Sequence, residues 1–193
     1  MTKYIRLLSI ILIIQFFGIN GCAGSKVDQD EIKKANQFFE SIFQDRVLDS
    51  PEFQSRLGYK SNYDQWDDIT YKRSRKNARE AMFDLDYLNK NINIDKLDSK
   101  TAISYRLMAK SLERRIDSDD FLFRQYMVTH RGGKHSSIPS FLINYHAIED
   151  ERDVQDYIGR LRNIEPLIED LIEEMSLREE VGTIAPMFVY PKA

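Results

Sequence analysis

Apolar residues recur at intervals of three and four along most of this chain, and this spacing predicts amphipathic α-helices. The first apolar stripe contains Ile32, Ala35, Phe39, Ile42 and Phe43. Asp30 is the predicted N-cap of this helix, because its carboxylate can accept hydrogen bonds from the unpaired amides of the first turn. Ser50 followed by Pro51 predicts a second, short helix that ends at Leu57-Gly58.

Two longer helices are predicted in the middle of the chain, one after Thr70 and one at Ser99. The first has the apolar stripe Ala78, Ala81, Met82, Leu85 and Leu88, and the second has Ala102, Tyr105, Ala109, Leu112 and Ile116. Ser99 is the predicted N-cap of the second helix. Because the connection between the two helices is short, we expect them to pack antiparallel.

Two segments interrupt the helical pattern. Residues 59–70, YKSNYDQWDDIT, have neither helical nor strand periodicity, and we predict an ordered loop held by Tyr63 and Trp66. Residues 124–139, RQYMVTHRGGKHSSIP, contain two glycines and a proline, which predicts a loop of roughly ten residues between helices.

Three further apolar stripes predict helices in the last third of the chain. They contain Phe141, Leu142, Tyr145 and Ile148; then Val154, Tyr157, Ile158 and Leu161; then Leu167, Ile168, Leu171, Ile172 and Met175. No segment shows the convincing alternation of a β-strand. The predicted fold class is therefore all-α, a multi-helix and mostly antiparallel region.

The N-terminal segment has the layout of a secretory signal peptide. Lys3 and Arg6 give it a positive start, and residues 7–17 are almost entirely apolar. A helix of that run would cover about 16 Å, against the ~30 Å of a bilayer core, so it is too short to span a membrane. We divide the chain into a signal peptide at 1–21, a tether at 22–30 and a helical domain at 31–193.

The single cysteine, Cys22, lies where the apolar run gives way to polar sequence. Ile19-Asn20-Gly21-Cys22 resembles the bacterial lipobox, in which a diacylglyceryl group is attached to the cysteine sulfur and the chain is cut just before the cysteine. We predict cleavage between Gly21 and Cys22 and a lipid on Cys22 that anchors the protein to a membrane of the bacterial cell envelope. Ala23, rather than an acidic residue, favours the outer membrane. The alternative is an ordinary cleaved signal with an incidental cysteine.

Composition narrows the possible functions. Charged residues make up 31% of the chain, and only five prolines and eight glycines interrupt it, which favours helices. The formal net charge is −3, and it becomes −5 once Lys3 and Arg6 leave with the signal peptide, so no nucleic-acid partner is expected. With its one cysteine assigned to lipid, the mature chain has no thiol for a disulfide or for catalysis.

The three histidines form no recognisable metal motif. His130 and His135 flank a Gly-Gly turn, and a metal there is disfavoured because zinc needs three or four converging ligands. His146 precedes Glu149 by three residues, and we predict a pair on one helix face. The sequence lacks HExxH, a glycine-rich phosphate loop and a serine-nucleophile elbow. We therefore assign no catalytic, cofactor-binding or metal-binding residue.

Two charged clusters allow more than one interpretation. Three acids, Asp64, Asp67 and Asp68, surround Trp66 in sequence. They could bind a cation, but their spacing matches no calcium loop, so a packed Trp66 with solvated acids is favoured. The basic run comprises Lys72, Arg73, Arg75, Lys76 and Arg79. It is typical of a solvated helix face.

Several segments together resemble the bacterial domain-of-unknown-function family 885. They are NQFFESIF at 36–43, LGYKSNYDQWDD at 57–68, IPSFLINYHAI at 138–148, DVQDYIGRL at 153–161 and LREEVGTIAPMFVYP at 177–191. Members of this family are secreted or lipid-anchored proteins regarded as metal-dependent peptidases. The loop YMVTHRGGKHS at 126–136 departs from the asparagine, glutamine and apolar residues that members often carry before the glycine.

The resemblance implies a zinc site in a His/Glu segment downstream of the residues matched here, so no metal or catalytic residue is carried over. Our first hypothesis is the N-terminal helical region of a lipid-anchored peptidase, a fragment or truncated form whose partner is a missing C-terminal catalytic half. An apolar tail with no helix to cover it favours this: Met187, Phe188, Val189 and Tyr190. The alternative is a stand-alone envelope lipoprotein that binds a protein or glycan without chemistry.

Overall fold

The fold of residues 27–189 is described by a computed structural model of the chain. Its α-helices are α1 (Gln29–Leu48), α2 (Pro51–Arg56), α3 (Tyr71–Asn91), α4 (Ser99–Asp117), α5 (Lys134–Tyr145), α6 (Glu151–Arg162) and α7 (Ile164–Glu180). Two 3₁₀ helices, at Ile94–Lys96 and Ser118–Arg124, follow α3 and α4 respectively. The predicted all-α fold class is confirmed. The predicted signal peptide and Cys22 lie outside the described residues.

Helices α1, α3 and α4 pack around the main hydrophobic core. Its buried members are Ala35, Ile42, Ala81, Leu88, Ile92, Leu97, Ala102 and Leu112. Tyr105, near the start of α4, donates a hydrogen bond to Asn89, near the end of α3. Arg75, near the start of α3, has its Nε 3.7 Å from a carboxylate oxygen of Asp119, just beyond the end of α4. Helices α3 and α4 therefore run antiparallel, as their short connection predicts.

Aspartates cap two helices slightly before the predicted positions. Asp28 Oδ1 accepts the amide of Asp30 at 3.0 Å, so Asp30 lies inside the first turn of α1 and the prediction that it caps the helix is wrong. Asp98 Oδ1 accepts the amide of Thr101 at 2.7 Å, and Ser99 is the first residue of α4 rather than its cap. A carboxylate at the N-cap also interacts favourably with the positive end of the helix dipole.

The predicted short helix α2 is confirmed at both ends. Ser50 accepts the amide of Phe53 at 3.0 Å, and Pro51 occupies the first helical position. Gly58 follows the C-cap with φ +83°, a left-handed conformation that glycine adopts without steric cost. The caps of α1, α2 and α4 show that local side-chain chemistry sets where these helices begin.

A small hairpin replaces part of the predicted loop at 124–139. Strands β1 (Val128–Thr129) and β2 (Gly132–Gly133) pair antiparallel, and α5 begins directly afterwards. A Cβ on Gly133 would lie 2.9 Å from the carbonyl oxygen of Met127, so this close approach requires glycine. Pro139 lies inside α5, and the prediction of loop up to this residue is wrong. Since Pro139 is only six residues into the helix, its ring removes one intrahelical hydrogen bond near the helix start.

Several predicted apolar positions are exposed. In α6 the residues turned inward are Asp153 and Arg160, whereas Val154 and Leu161 are 38% and 41% exposed. Met82, Ile148 and Ile172 also belong to the predicted apolar stripes, but they are 55%, 53% and 59% exposed. The inward face of α6 is therefore polar, and the reason lies in the hydrogen bonds described below.

The C-terminal tail is partly covered. Met187 and Phe188 are 81% and 59% exposed, in agreement with the prediction for an uncovered tail. Val189, in contrast, is buried, and its amide donates to the carbonyl of Pro186. The prediction that Val189 is uncovered is therefore wrong, because a turn at 187–189 folds it back toward the domain. Tyr190 lies outside the described residues.

Candidate functional site

A buried arginine organises the side of the molecule formed by α2, the loop at 59–70, α5 and α6. Arg160 is 0% exposed. Its guanidinium donates to Ser55 Oγ at 3.1 Å and to the backbone carbonyls of Asn62 and Gln65 at 3.3 and 3.1 Å. A further contact of 3.1 Å joins Nη1 to Nδ1 of His146. All of these acceptors are uncharged, and burial lowers the pKa of Arg160.

Three aromatic rings enclose the same guanidinium. The Cζ atom of Arg160 lies 5.2, 5.5 and 5.0 Å from the ring centroids of Tyr63, Trp66 and Phe141. Trp66 also donates from its indole nitrogen to the backbone carbonyl of Arg160 at 2.9 Å. These cation–π contacts replace part of the hydration that the buried charge loses. The prediction that Tyr63 and Trp66 hold the loop in place is confirmed.

His146 is part of this buried cluster and does not form the predicted pair with Glu149. It follows the last residue of α5, is 6% exposed, and stacks on Tyr63 with the ring centroids 4.0 Å apart. Its Nε2 lies 3.2 Å from the backbone carbonyl of Asp153. Because Nδ1 must accept from Arg160, the proton belongs on Nε2 and the ring is neutral. Burial lowers the pKa of His146 accordingly.

Asp153 and Lys60 connect the start of α6 to the loop at 59–70. Asp153 accepts from Lys60 Nζ at 2.7 Å and from the amides of Glu149 and Asp150 at 2.8 and 3.3 Å. Lys60 also pairs with the Glu149 carboxylate at 2.7 Å. Hydrogen bonding to Lys60 lowers the pKa of Asp153, and hydrogen bonding to Asp153 raises the pKa of Lys60. Glu149 thus contacts a lysine rather than His146.

A cleft with a volume of about 880 Å³ lies among α1, α2, α3 and α4. We call it the arginine cleft, and its cationic lining residues are Arg46, Arg56, Arg73 and Arg115. Its apolar lining residues are Ile42, Phe43, Phe53, Met108 and Leu112. Its acidic lining residues are Asp49, Glu52, Asp67 and Asp68. A volume of this size is in the range of small-molecule sites.

The acids around the arginine cleft have partners within the protein. Asp67 accepts from Ser50 Oγ at 2.7 Å and from the amide of Glu52 at 2.9 Å, which stabilises the start of α2. Asp49 pairs with Arg73, and Glu52 pairs with Lys134.

The acids near Trp66 form no cation site. Asp64 accepts from the neighbouring Gln65 side chain at 2.8 Å. Asp68 accepts the amide of Thr70 at 2.9 Å. Since each carboxylate, including that of Asp67, has its own local donor, the three acids do not converge as metal ligands would.

Within the described part of the chain, three arginines of the cleft make no contact with a carboxylate. Between residues 27 and 189, no carboxylate oxygen lies within 4.0 Å of the guanidinium of Arg46, Arg56 or Arg115. Arg46 lies over the ring of Phe53 at 5.0 Å and Arg56 over the ring of Tyr145 at 4.3 Å. The cleft therefore presents cationic donors whose charge is not neutralised by a direct contact.

The family resemblance places zinc downstream of the matched segments, and the described residues show no site of their own for it. Within the part of the chain that the structure describes, no group of three or more His, Cys, Asp or Glu side chains could hold a metal ion. The ring of His130 lies 6.2 Å from the ring of Phe188, and His146 is used by Arg160 and Asp153. We therefore assign no metal ligand. None of the described helices is both long and apolar enough to span a bilayer.

Most of the chain matches one known protein family. The sequence pattern of DUF885, a family of bacterial proteins of unknown function, matches residues 51–193. The chain belongs to this family. The resemblance noted from the sequence is thereby confirmed for residues 51–193, and the segment at 36–43 lies outside the match. No curated protein and no solved structure matches the chain.

The DUF885 match includes a second buried charged cluster, on α7. Arg178 Nη1 and Glu174 Oε2 form an ion pair at 2.7 Å, and their side chains are 6% and 2% exposed. Glu174 Oε1 accepts the amide of Tyr71 at 2.7 Å and so stabilises the start of α3. Arg178 donates to the backbone carbonyls of Leu122 and Gln125 at 3.2 and 3.0 Å. This pair joins α7 to α3 and to the segment after α4.

The buried charges on α6 and α7 are absent from the sequence predictions, although their helical spacing is a signal of burial. In α7 the buried positions are Leu167, Leu171, Glu174 and Arg178, which continue one helical stripe at intervals of four, three and four. In α6, Asp153, Tyr157 and Arg160 have the same spacing. Because charged residues are usually exposed, the sequence alone favours nearby apolar residues for the buried face of each helix.

Proposed function

We propose that this chain is the helical, ligand-binding part of a lipid-anchored, peptidase-type DUF885 protein at the bacterial cell envelope. In this role it holds a ligand and cleaves no bond itself. Cys22 carries the lipid, and Ala23 supports delivery to the outer membrane. The zinc of the family is assigned to no residue of this chain. Nucleic acid is not a partner.

The observation that carries this proposal is the arginine cleft. Its volume of about 880 Å³ is enough for a small molecule or for a few residues of a peptide. Three of its four arginines make no carboxylate contact within residues 27–189, so their hydrogen-bonding capacity is open to a ligand. The helices that line the cleft are fixed by side-chain caps and by the core of α1, α3 and α4, which supports a preformed site.

Native mass spectrometry of the lipidated protein tests this proposal. We expect the protein extracted from membranes to carry a bound molecule, and Ser111→Trp, which fills the cleft, to abolish that adduct. Lys110→Trp is the matched control, because the Lys110 side chain is 66% exposed and does not line the cleft. Thermal unfolding confirms that both variants fold. The same adduct in all three proteins, or in none, would contradict a ligand-binding role.

A second role, in contact with a catalytic zinc-binding segment, is favoured by apolar side chains around the end of α7. Ile172, Val181 and Ile184 are 59%, 62% and 52% exposed, and the exposed Met187 and Phe188 follow closely. Exposed clusters of this kind are typical of surfaces that a partner covers. Here the partner is the zinc-binding segment that the DUF885 resemblance implies, whether it is on the same polypeptide or on another.

Zinc analysis of affinity-purified protein tests this second role. We expect zinc to co-purify with the wild type from solubilised envelopes and to be lost in Ile172→Asp. Ile143→Asp is the control, since Ile143 is 81% exposed on α5 and receives the same change. If zinc is absent from the wild type, or equally retained in both variants, this surface does not bind such a segment.

A further inference from the structure

We propose that the arginine cleft binds an amphipathic molecule that carries an oxyanion, either a carboxylate or a phosphate, and that Arg46 and Arg115 pair with that oxyanion. This inference rests on the proposed binding function and names the ligand chemistry. A guanidinium presents planar N–H donors that match the oxygens of both groups.

Arg46 and Arg115 come from different helices and meet at one boundary. Arg46 lies on α1 and Arg115 on α4, yet both line the arginine cleft and an adjoining cleft of about 430 Å³. They therefore lie on the ridge that the two clefts share, and the proposal places the oxyanion between them. Arg73, in contrast, forms an ion pair with Asp49, and the guanidinium of Arg56 lies over the ring of Tyr145.

Asp49, the partner of Arg73, lines both clefts, whereas Asp45, Glu80 and Asp84 line only the adjoining one. Asp45 and Asp84 line that cleft, and neither comes within 4.0 Å of an arginine or lysine nitrogen among the described residues. Burial raises the pKa of Asp84, while Arg115 opposes this effect from a longer distance. A ligand oxyanion in the arginine cleft would thus form the direct ion pair with Arg115 that Asp84 does not form.

Neutral donors and an apolar wall complete the site. Asn77 and Ser111 line the cleft from α3 and α4, and Ser111 lies one helical turn before Arg115. The wall formed by Phe43, Phe53 and Met108 suits an apolar or aromatic body next to the charged group. A bare inorganic anion would leave this wall without a contact, so the ligand is expected to be amphipathic.

Ligand-observed NMR titration of the full lipidated protein in detergent tests this inference with three probes of one size. Phenylacetate carries a carboxylate, phenyl phosphate carries a phosphate, and phenylacetamide is neutral. We expect at least one anion to bind about tenfold more tightly than the amide, because a hydrogen bond to a charged group contributes more than a neutral one. The anion that binds more tightly shows whether the site prefers a carboxylate or a phosphate. The preference should weaken as salt is raised.

Matched variants assign the preference to the cleft. Arg115→Gln should weaken anion binding about tenfold and leave amide binding unchanged. Arg46→Gln is the second test, since Arg46 is exposed and its loss should not affect folding. Arg114→Gln is the control, because the exposed Arg114 adjoins Arg115 in sequence but does not line the cleft. Equal loss in Arg114→Gln, or no loss in either cleft variant, overturns the inference.

A variant of the adjoining cleft supplies a readout that a purely structural role would not change. Asp84→Asn removes a negative charge near Arg115 and should tighten anion binding several-fold without affecting the amide. If the three probes bind equally while Ser111→Trp still removes a native adduct, the binding function stands and the oxyanion assignment fails. If neither effect is seen, both fail.

Discussion

Arg160 and His146 share a hydrogen bond of 3.1 Å between Nη1 and Nδ1, at a place where both side chains are almost fully removed from solvent. The bond requires a neutral imidazole, since a protonated ring would place two donors and two positive charges in contact. Helix α6 therefore depends on the protonation state of a residue that follows α5.

Replacing Arg160 with methionine should destabilise the protein by about 3 kcal/mol or more, because it leaves Ser55, His146 and two loop carbonyls without a donor. Arg160→Lys should recover only part of this loss, since one ammonium group cannot reach all of these acceptors. Urea unfolding gives the free energies. Arg162→Met on the exposed side of the same helix should change stability by less than about 0.5 kcal/mol. Equal effects at 160 and 162 would show that the buried contacts contribute little.

Stability should fall as the pH drops below about 6.5, the ordinary pKa of histidine. The folded protein lowers the pKa of His146, so the unfolded chain takes up the proton first and gains free energy relative to the native state. The stabilisation is complete above that pH, and one proton changes it by at most about 1.4 kcal/mol per pH unit.

Unfolding curves of the wild type and His146→Gln between pH 5 and 8 check this. The variant should be less stable at pH 8, and its free energy of unfolding should change less with pH across this range. His135→Gln serves as the control, because His135 is exposed and should leave the slope in place. An unchanged slope in His146→Gln would assign the pH dependence to other groups.

Replacing Glu174 with glutamine should destabilise the protein by about 3 kcal/mol, because Arg178 is then buried without a counter-charge. The start of α3 should also loosen, because the single side-chain oxygen of glutamine cannot accept from both Arg178 and the amide of Tyr71. Hydrogen exchange at the first turn of α3 measures this second effect separately. Glu173→Gln, at the exposed neighbouring position, is the matched control. Slow exchange retained in Glu174→Gln would mean that Thr70 alone holds the helix start.

Cys22→Ser should remove fatty-acid label and release the protein from the membrane fraction, or leave it as an uncut precursor. Serine offers no sulfur for a thioether, and the mature chain contains no other cysteine. Metabolic labelling followed by fractionation and N-terminal mass analysis checks this. Wild-type protein that is unlabelled and is cleaved at another bond would contradict the anchor.

Most of the helical architecture could be predicted because it is encoded locally. Apolar spacing located α1, α3, α4 and α7, and Ser50, Pro51 and Gly58 defined α2. The start of α5 was missed for a physical reason: Pro139 reads as a helix breaker, but it lies close enough to the helix start to cost one hydrogen bond.

The sites were less predictable because they depend on contacts between distant segments. Arg160 reaches Ser55 across 105 residues and Asn62 across 98, and no local pattern signals such a meeting. The arginine cleft likewise combines α1, α3 and α4. The basic run at 72–79 was expected to be wholly solvated, yet Arg73 pairs with Asp49 and its side chain is 17% exposed. Tertiary proximity, rather than composition, gives each of these arginines its environment.

The loop at 59–70 has no regular structure, but its backbone is the hydrogen-bonding surface for α6. Arg160 donates hydrogen bonds to the backbone carbonyls of Asn62 and Gln65, and the Asn163 side chain donates to that of Asp64 at 3.0 Å. Detaching the loop would break these hydrogen bonds together with the packing of Tyr63 and Trp66 on Arg160, so the loop cannot open by itself at low free-energy cost. In limited proteolysis, this irregular segment should therefore resist cleavage as long as the helices do, and its first cut should coincide with unfolding of α6.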